Sequence, residues 1–393
     1  MNNRLDNAAS LPDSSSASTV PCRRTAPYPL VMPMVGGVSV RSRSHSRAMS
    51  REQMDKELNK WVAAGQSHEL RKEAANRMLT CFREKGTALD LGFLRLNTLP
   101  HCIAELSSLQ SLDVSFNSLT TLPDHLGGLL LLQTLVVSGN RLTTLPERIG
   151  GLLSLHTLDA SDNSITELTD DIGDLLSLHT LDVSGNELTV LPDRLAELSL
   201  LRTLVASDNA LTKLPFGIGD LVSLQYLDVS DNALSGLPAS FCNLVSLCIL
   251  DLSGNQFMQL RDGVGNLSSL HYLDLSGNAL SSLPDGIANL SSLQTLDLSH
   301  NHFTQLAGGL SALSSLRLLR LCNNPLTCLP EQFRTMPAFQ AHASNQHYLH
   351  LPAQPAASQH RVCTPAQFRS PSSSRSTAVD CSPPVKSITT SHR

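Results

Sequence analysis

Residues 109–140 read LQSLDVSFNSLTTLPDHLGGLLLLQTLVVSGN, and one pattern occurs twice within them. Each copy places leucines and a valine ahead of an asparagine, as in Leu109-x-x-Leu112-x-Val114-x-x-Asn117. The asparagine recurs every 23 residues without a slip, at Asn117, Asn140, Asn163, Asn186, Asn209, Asn232, Asn255, Asn278, Asn301 and Asn324. A fixed period of this length indicates a stack of identical supersecondary units, in which each unit contacts only its neighbours.

The spacing within one repeat predicts its structure. Alternation of Leu112 and Val114 is typical of a short strand with its apolar side chains on one face. Asn117 ends this strand, and its amide can donate to and accept from backbone groups exposed where the chain turns. A proline such as Pro146 prevents a long helix, so the return segment is expected to be short or 3₁₀-like.

A degenerate copy precedes the regular repeats, with Leu94 at the asparagine position and the Leu99-Pro100 pair after it. Atypical terminal repeats are common in such arrays. The sequence therefore predicts an α/β solenoid of eleven 23-residue repeats over residues 87–335. A single repeat cannot bury its leucines, so we expect stacking into a parallel sheet on the concave side of a horseshoe.

Residues 50–86 predict two helices that cap the first repeat. Ser50 followed by Gln53 is a capping-box pattern, and the first helix is expected to end at Gly65. The second helix is expected to start near Ser67 and to end at Gly86. Their apolar sides would carry Met54, Leu58, Trp61 and Val62 in the first helix, and Leu70, Ala74, Met78, Cys81 and Phe82 in the second.

The flanks differ from the centre in composition and charge. Residues 1–49 and 336–393 are rich in Ser, Pro and Arg without periodicity, and both are predicted to be disordered. The net charge of −5 is unevenly spread: residues 1–50 and 331–393 each carry +4, which leaves −13 for the centre. A repeat domain this acidic is a poor nucleic-acid binder, because phosphate binding needs Lys and Arg.

The nine cysteines are scattered and lack Cys-x-x-Cys pairs, which indicates a reducing compartment at the site of action. No apolar run approaches the length of a membrane span, so no transmembrane segment is expected. We expect a monomer.

One exposed slot on each predicted strand is nearly always aspartate. It holds Asp90, Asp113, Asp159, Asp182, Asp228, Asp251, Asp274 and Asp297, with Val136 and Val205 as interruptions and Arg320 at the end. Carboxylates at strand spacing repel one another, which favours a basic partner. The alternative is that Leu-Asp-Leu-Ser is the repeat's ordinary solution for a soluble face.

The slot before each central strand leucine changes character partway along the array. It is threonine in several repeats, then Tyr226, Ile249 and Tyr272, and threonine again at Thr295. Large side chains with an aromatic share, surrounded by polar residues such as His271, are typical of a protein-binding hot spot. Drift among duplicated repeats is the alternative. His156 and His179 with Arg202 form a second candidate contact group.

Catalytic and metal chemistry find no support in the sequence. The aspartate column has no His or Cys at ligand spacing beside it, and His342, His347 and His350 are loosely spaced. There is no Gly-rich phosphate loop, no Gly-x-Ser-x-Gly elbow and no cysteine in an activating context. We therefore expect no enzyme activity, no metal and no cofactor.

The segment Trp61-Val-Ala-Ala-Gly, residues 71–81 and the run Ala88 to Pro100 resemble the helical cap and first repeat of leucine-rich-repeat effectors that Gram-negative pathogens deliver by type III secretion. The following repeats are similar to those of plant-pathogen members. IpaH-type relatives add a ubiquitin-ligase domain after the repeats, and that activity does not carry over to the low-complexity residues found here. The Ser-rich amino terminus is similar to a type III secretion leader.

This resemblance implies a secreted effector that binds a host protein on its concave face inside the host cell cytoplasm. The contact set is expected to include Tyr226, Ile249, Tyr272, His271, Arg202, His179, Asp228, Asp251 and Asp274. Two other functions remain open: a cytoplasmic signalling scaffold of the Ras-associated leucine-rich-repeat type, and the recognition part of a ubiquitin-ligase effector without its catalytic domain.

Overall fold

The computed structural model describes residues 49–306, 308–327 and the short segment 340–342. The predicted leader, residues 1–49, lies outside the described residues except for Met49, and the predicted tail, residues 336–393, lies outside them except for this segment. Among the described residues, no helix is long and apolar enough to cross a membrane.

One parallel sheet runs through the repeats, with the strands in sequence order. Its strands are β1 (Ala88–Asp90), β2 (Ser111–Asp113), β3 (Thr134–Val136), β4 (Thr157–Asp159), β5 (Thr180–Asp182), β6 (Thr203–Val205), β7 (Tyr226–Asp228), β8 (Ile249–Asp251), β9 (Tyr272–Asp274), β10 (Thr295–Asp297), β11 (Leu318–Arg320) and β12 (Gln340–His342). Each strand from β1 to β10 pairs with the next at an offset of 23 residues, for example Leu112 with Leu135. The predicted α/β solenoid with its parallel sheet is therefore confirmed.

The twelfth strand extends the sheet beyond the eleven predicted repeats. Gln340–His342 pairs in parallel with Leu318–Arg320, at an offset of 22 residues. It lies inside the range that the sequence assigned to a disordered tail. The strand lacks the Leu-x-x-Leu-x-Leu pattern, so periodicity gave no signal for it.

The return segments are short 3₁₀ helices, as the prolines predicted. They span His101–Glu105, Asp124–Gly128, Ile149–Gly151, Asp170–Asp174, Asp193–Glu197, Ile218–Asp220, Ala239–Asn243, Asp262–Asn266, Asp285–Asn289 and Gly308–Ala312. Proline supplies the extended residue before five of the five-residue turns, as at Pro192 with φ −65° and ψ 145°. The core lies between these turns and the sheet, where leucines such as Leu112, Leu135 and Leu158 are fully buried.

The asparagine column ties each repeat to the one before it. The Asn186 amide nitrogen donates to the carbonyls of Val183 and Ser184 in its own repeat and of Ala160 in the preceding one, each at 3.0 Å. Its amide oxygen accepts from the backbone nitrogen of Ile165 at 2.9 Å. The other nine asparagines make the same four bonds at the same sequence offsets.

The two helices of the cap are α1 (Arg51–Ala63) and α2 (Arg71–Glu84). Ser50 and Gln53 form the expected reciprocal capping box, and Met54, Leu58 and Trp61 are buried. Helix α2 packs on β1, and its Ala74, Met78 and Cys81 join the continuous core. The pair therefore covers the first repeat, as predicted.

Helix α2 begins four residues later than predicted, at Arg71 rather than Ser67, because Glu69 holds the preceding turn. The Glu69 carboxylate accepts from the backbone nitrogens of Gln66 and Asn97 and from Arg71. Burial acts to raise the pKa of Glu69, but these bonds lower it below its ordinary value. Leu70, predicted on the apolar side, is instead 49% exposed. It precedes the helix and donates from its backbone to Leu94.

We expect Asn186→Ala to lower the free energy of unfolding, measured by urea titration, by at least about 1–3 kcal/mol. The substitution leaves several buried backbone groups unpaired, which accounts for that magnitude. Asn289→Ala is the matched control, because Asn289 is exposed and ends a 3₁₀ turn. Equal losses in the two variants would contradict a stabilising role for the column.

Candidate functional site

Strands β7, β8 and β9 form a grid of large side chains on the concave face. Tyr226 is in register with Ile249, and Ile249 with Tyr272. All three are partly exposed, whereas the leucine that follows each of them, such as Leu250, is fully buried. The structure thus brings together the three side chains that the sequence selected as a contact patch.

The aspartate column lies beside this patch, and its members close the turns that follow their own strands. The Oδ1 atom of Asp251 accepts from Ser253, at 2.9 Å from the backbone nitrogen and 2.6 Å from the hydroxyl. The same two bonds occur at Asp113, Asp159, Asp182 and Asp228. Asp274 and Asp297 retain the backbone bond. These hydrogen bonds give the aspartates a structural role in the turns, and the expected basic partner of the column stays a prediction.

Burial and mutual repulsion raise the pKa values of the aspartates near the patch. Burial raises the pKa of Asp251 to about 7, and the charges of Asp274 and Asp228 add to the rise. Burial likewise raises the pKa of Asp182 to about 6, although its bonds from Ser184 oppose the shift. The pKa values of Asp228 and Asp274 are also raised by burial. These carboxylates are held close together in an environment that disfavours their charge.

Two contacts within the chain satisfy part of this acidic column. The Tyr272 hydroxyl donates to Oδ2 of Asp274 at 3.0 Å. At the carboxyl end, Arg320 donates from Nη1 to Oδ2 of Asp297 at 3.2 Å. Arg320 stands in the slot that aspartate occupies in the neighbouring strand, so the column ends in an ion pair.

The second candidate group lies at the start of strands β4 to β6. The rings of His156 and His179 have centroids 5.1 Å apart, and Arg202 follows in the next repeat. Burial, His156 and Arg202 together lower the pKa of His179. The Nδ1 atoms of His179 and His271 are buried and lack a hydrogen-bond partner in the described part of the chain.

An exposed apolar row that was not predicted from the sequence follows the 3₁₀ turns. Leu130, Leu153 and Leu176 are exposed by 56%, 61% and 59% and succeed one another every 23 residues. Adjacent members are close, because the Ser154 hydroxyl donates to the Leu130 carbonyl at 2.8 Å. The doubled leucine in Gly-Leu-Leu and Asp-Leu-Leu was the available signal, since only the first of each pair is buried.

A second missed feature is a stacked aromatic pair on the turns after β1 and β2. Phe93 and Phe116 have ring centroids 4.6 Å apart and an interplanar angle of 13°. Both have left-handed backbone, with φ of 59° and 52°, and both side chains are exposed. Gly139 follows in the same position, where a Cβ atom would lie 2.7 Å from the Phe116 ring.

The described residues contain no group of three or more His, Cys, Asp or Glu placed to hold a metal ion. The expected absence of a metal, a cofactor and an enzyme activity stays a prediction. The strands present a patterned surface of aspartate, tyrosine and isoleucine side chains on a parallel sheet, a kind of surface that suits binding.

Two family models match parts of the chain. The "Leucine-rich repeat region" model matches residues 193–271 and 246–344, and the "Leucine Rich Repeat" model matches residues 108–129 and 177–198. No curated protein matches the chain significantly.

Solved structures share the fold. YopM of Yersinia pestis, described as a leucine-rich effector protein, is 25% identical with a TM-score of 0.54, covering 77% of this chain and 90% of its own. The functional domain of InlJ from Listeria monocytogenes is 24% identical with a TM-score of 0.59, covering 71% and 62%. The plant peptide hormone receptor RGFR1, in complex with RGF2, is 24% identical with a TM-score of 0.59, covering 68% of this chain and 49% of its own.

The sheet, the repeat register and these matches define a leucine-rich-repeat solenoid. The chain has the leucine-rich-repeat fold, which typically serves as a scaffold for binding other proteins.

We expect Asp251→Asn to raise the free energy of unfolding at pH 8, with the gain shrinking as the pH falls to 5. The raised pKa of Asp251 means that its stabilising contribution is present at low pH and is lost as the pH rises through about 7. Asparagine keeps the acceptor oxygen for Ser253 and removes the charge. Urea titrations at both pH values measure the difference.

Asp113→Asn is the matched control for this experiment. Asp113 accepts the same two bonds from Ser115 but lies in β2, away from the tyrosines. A pH-dependent gain of the same size in both variants would contradict the coupling of Asp251 to Asp228 and Asp274.

Proposed function

We propose that this protein binds another protein on its concave face, with Tyr226, Ile249 and Tyr272 at the centre of the contact. The observation that carries the proposal is the in-register placement of these three large, partly exposed side chains on consecutive strands. Aromatic side chains in a half-buried setting supply much contact area at low entropic cost, which is why they dominate binding hot spots.

Polar residues surround this centre. Asp228, Asp251 and Asp274 lie along one side of it, and His271 adjoins Tyr272. His179 and Arg202 immediately precede β5 and β6, the two strands before β7, and extend the surface in that direction. Such a rim orients a partner and excludes water from the central contacts.

We further propose that the protein is a bacterial effector, secreted by a type III system into the host cell cytoplasm, where it acts as a monomer on a host protein. The likeness to YopM over most of both chains supports this proposal. The resemblance of the helical cap and the Ser-rich leader to type III effectors supports it further.

Replacing both tyrosines with alanine should weaken partner binding at least tenfold, because truncating a hot-spot residue costs about 2 kcal/mol or more. Proximity labelling in plant and animal cells, with the full chain and the Tyr226→Ala/Tyr272→Ala variant, measures the loss. Ser111→Ala/Thr134→Ala is the matched control, because these residues fill the same slot on β2 and β3. Circular dichroism verifies that all forms are folded.

A host protein that is labelled by the intact and control forms but not by the tyrosine variant is the expected result. Equal labelling by all forms would refute the tyrosine patch as the contact site. If the labelled protein instead comes from the same organism that produces this chain, a cytoplasmic signalling scaffold is the better description. A labelled ubiquitin ligase would favour a recognition role.

Delivery is tested separately by fusing residues 1–49 to a reporter enzyme that is active only in host cytoplasm. We expect reporter activity from a bacterial strain with a working type III system and none from a secretion-deficient strain. Activity that is independent of the secretion system would refute the proposed route.

A further inference from the structure

In the tyrosine patch, the two tyrosines stand on either side of a smaller side chain. Tyr226 and Tyr272 lie on β7 and β9, two strand spacings apart, or roughly 9.6 Å. Ile249 lies between them on β8 and has the shorter side chain. We call this part of the surface, formed by Tyr226, Ile249, Tyr272 and Asp251, the tyrosine notch.

Hydrogen bonds hold one oxygen of the Asp251 carboxylate in place and leave the other without a partner among the described residues. Its Oδ1 is held by both groups of Ser253, while Oδ2 has no hydrogen bond or ion pair with any residue that the structure describes. Asp274, next to it in the column, uses both oxygens, one for Ser276 and one for the Tyr272 hydroxyl. Within the described strands, Asp251 and Asp228 each keep an Oδ2 open to an outside donor, and of these two Asp251 is the one on β8, the strand between the two tyrosines.

The chain itself provides an example of what this column binds. Arg320 extends from β11 across to Asp297 of β10 and donates to its Oδ2 at 3.2 Å. Asp297 is only 5% exposed, so a guanidinium reaches a nearly buried carboxylate of this column without outside help. Asp251 stands in the same slot two strands earlier and has no such cation among the described residues.

We propose that the tyrosine notch takes one arginine side chain from an extended segment of the bound protein, with its guanidinium on Oδ2 of Asp251. This inference rests on the proposed function and specifies the partner's chemistry. The guanidinium is favoured over an ammonium because its planar face stacks on tyrosine rings while its edge donates hydrogen bonds.

An uncharged side chain could contact the tyrosine rings but would offer no cation to Asp251. Covering Asp251 with an apolar side chain would leave its Oδ2 without a partner and would further penalise the charged form of a carboxyl whose pKa burial has already raised to about 7. The neighbouring carboxylates Asp228 and Asp274 would add their repulsion. A cation removes both penalties at once.

A random dodecapeptide phage library, selected on the full-length protein, supplies the probes. Peptides are kept when Tyr226→Ala/Tyr272→Ala abolishes their binding, and the kept peptides are made synthetically. Each is compared with versions in which a single arginine is replaced by lysine or by citrulline, the neutral isostere of arginine. Isothermal titration measures the dissociation constants.

We expect one arginine per peptide whose change to citrulline weakens binding at least tenfold and whose change to lysine weakens it less. Asp251→Asn should remove this discrimination, so that arginine and citrulline peptides bind it equally. Asp113→Asn should preserve it. Because both variants keep the oxygen that accepts from serine, the comparison isolates the charge.

Two other results overturn the proposal in distinguishable ways. If tyrosine-dependent peptides bind equally with citrulline, or if Asp251→Asn leaves the discrimination intact, the arginine assignment is wrong while the proposed contact site stands. If selection yields no peptide that depends on the tyrosines, the contact site itself fails, and the arginine assignment with it.

Discussion

The side-chain amide of the recurring asparagine is the interaction on which the rest of the structure depends. Each amide bonds three carbonyls and one backbone nitrogen, and two of these four partners belong to the preceding repeat. The amide thereby satisfies polar groups that lie beside a core of fully buried leucines, where unpaired groups are costly. Since the same bonds recur at every copy, they hold the 23-residue register that aligns all side chains on the concave face.

The acidic character of that face also follows from the need to satisfy backbone hydrogen-bonding groups. An aspartate at the end of a strand closes the turn by accepting from the serine two residues later, so its charge accompanies a structural duty. Surface charge and turn geometry are therefore linked wherever aspartate fills the slot, and an asparagine would remove the charge while keeping the acceptor oxygen. Asp251 closes its turn through Oδ1 and keeps Oδ2 without a hydrogen bond beside the two tyrosines. This aspartate is therefore both a structural residue and a candidate binding residue.

Most of the fold could be predicted because it depends on local periodicity. The strands, the 3₁₀ turns and the capping box at Ser50 each follow from residues within one repeat or one helical turn. The start of α2 could not, because it depends on Glu69 bonding Asn97, 28 residues away. The grid of Tyr226, Ile249 and Tyr272 was predictable from register alone. The Asp251 hydrogen bonds were foreseeable from the Asp-x-Ser pattern, but its raised pKa depends on burial that only the stacked structure reveals.

Each repeat contributes one strand to the sheet. The number of repeats that the gene encodes between two residues therefore fixes their distance on the concave face. Tyr226 and Tyr272 are separated by two repeats, and their spacing is fixed by that integer. Duplicating or deleting one 23-residue unit between them would widen or close the notch by a single strand spacing, roughly 4.8 Å, without disturbing either flank. Unequal recombination within the repeats could thus change the size of the accepted side chain in discrete steps, while the core and the hydrogen-bonded column stay as they are.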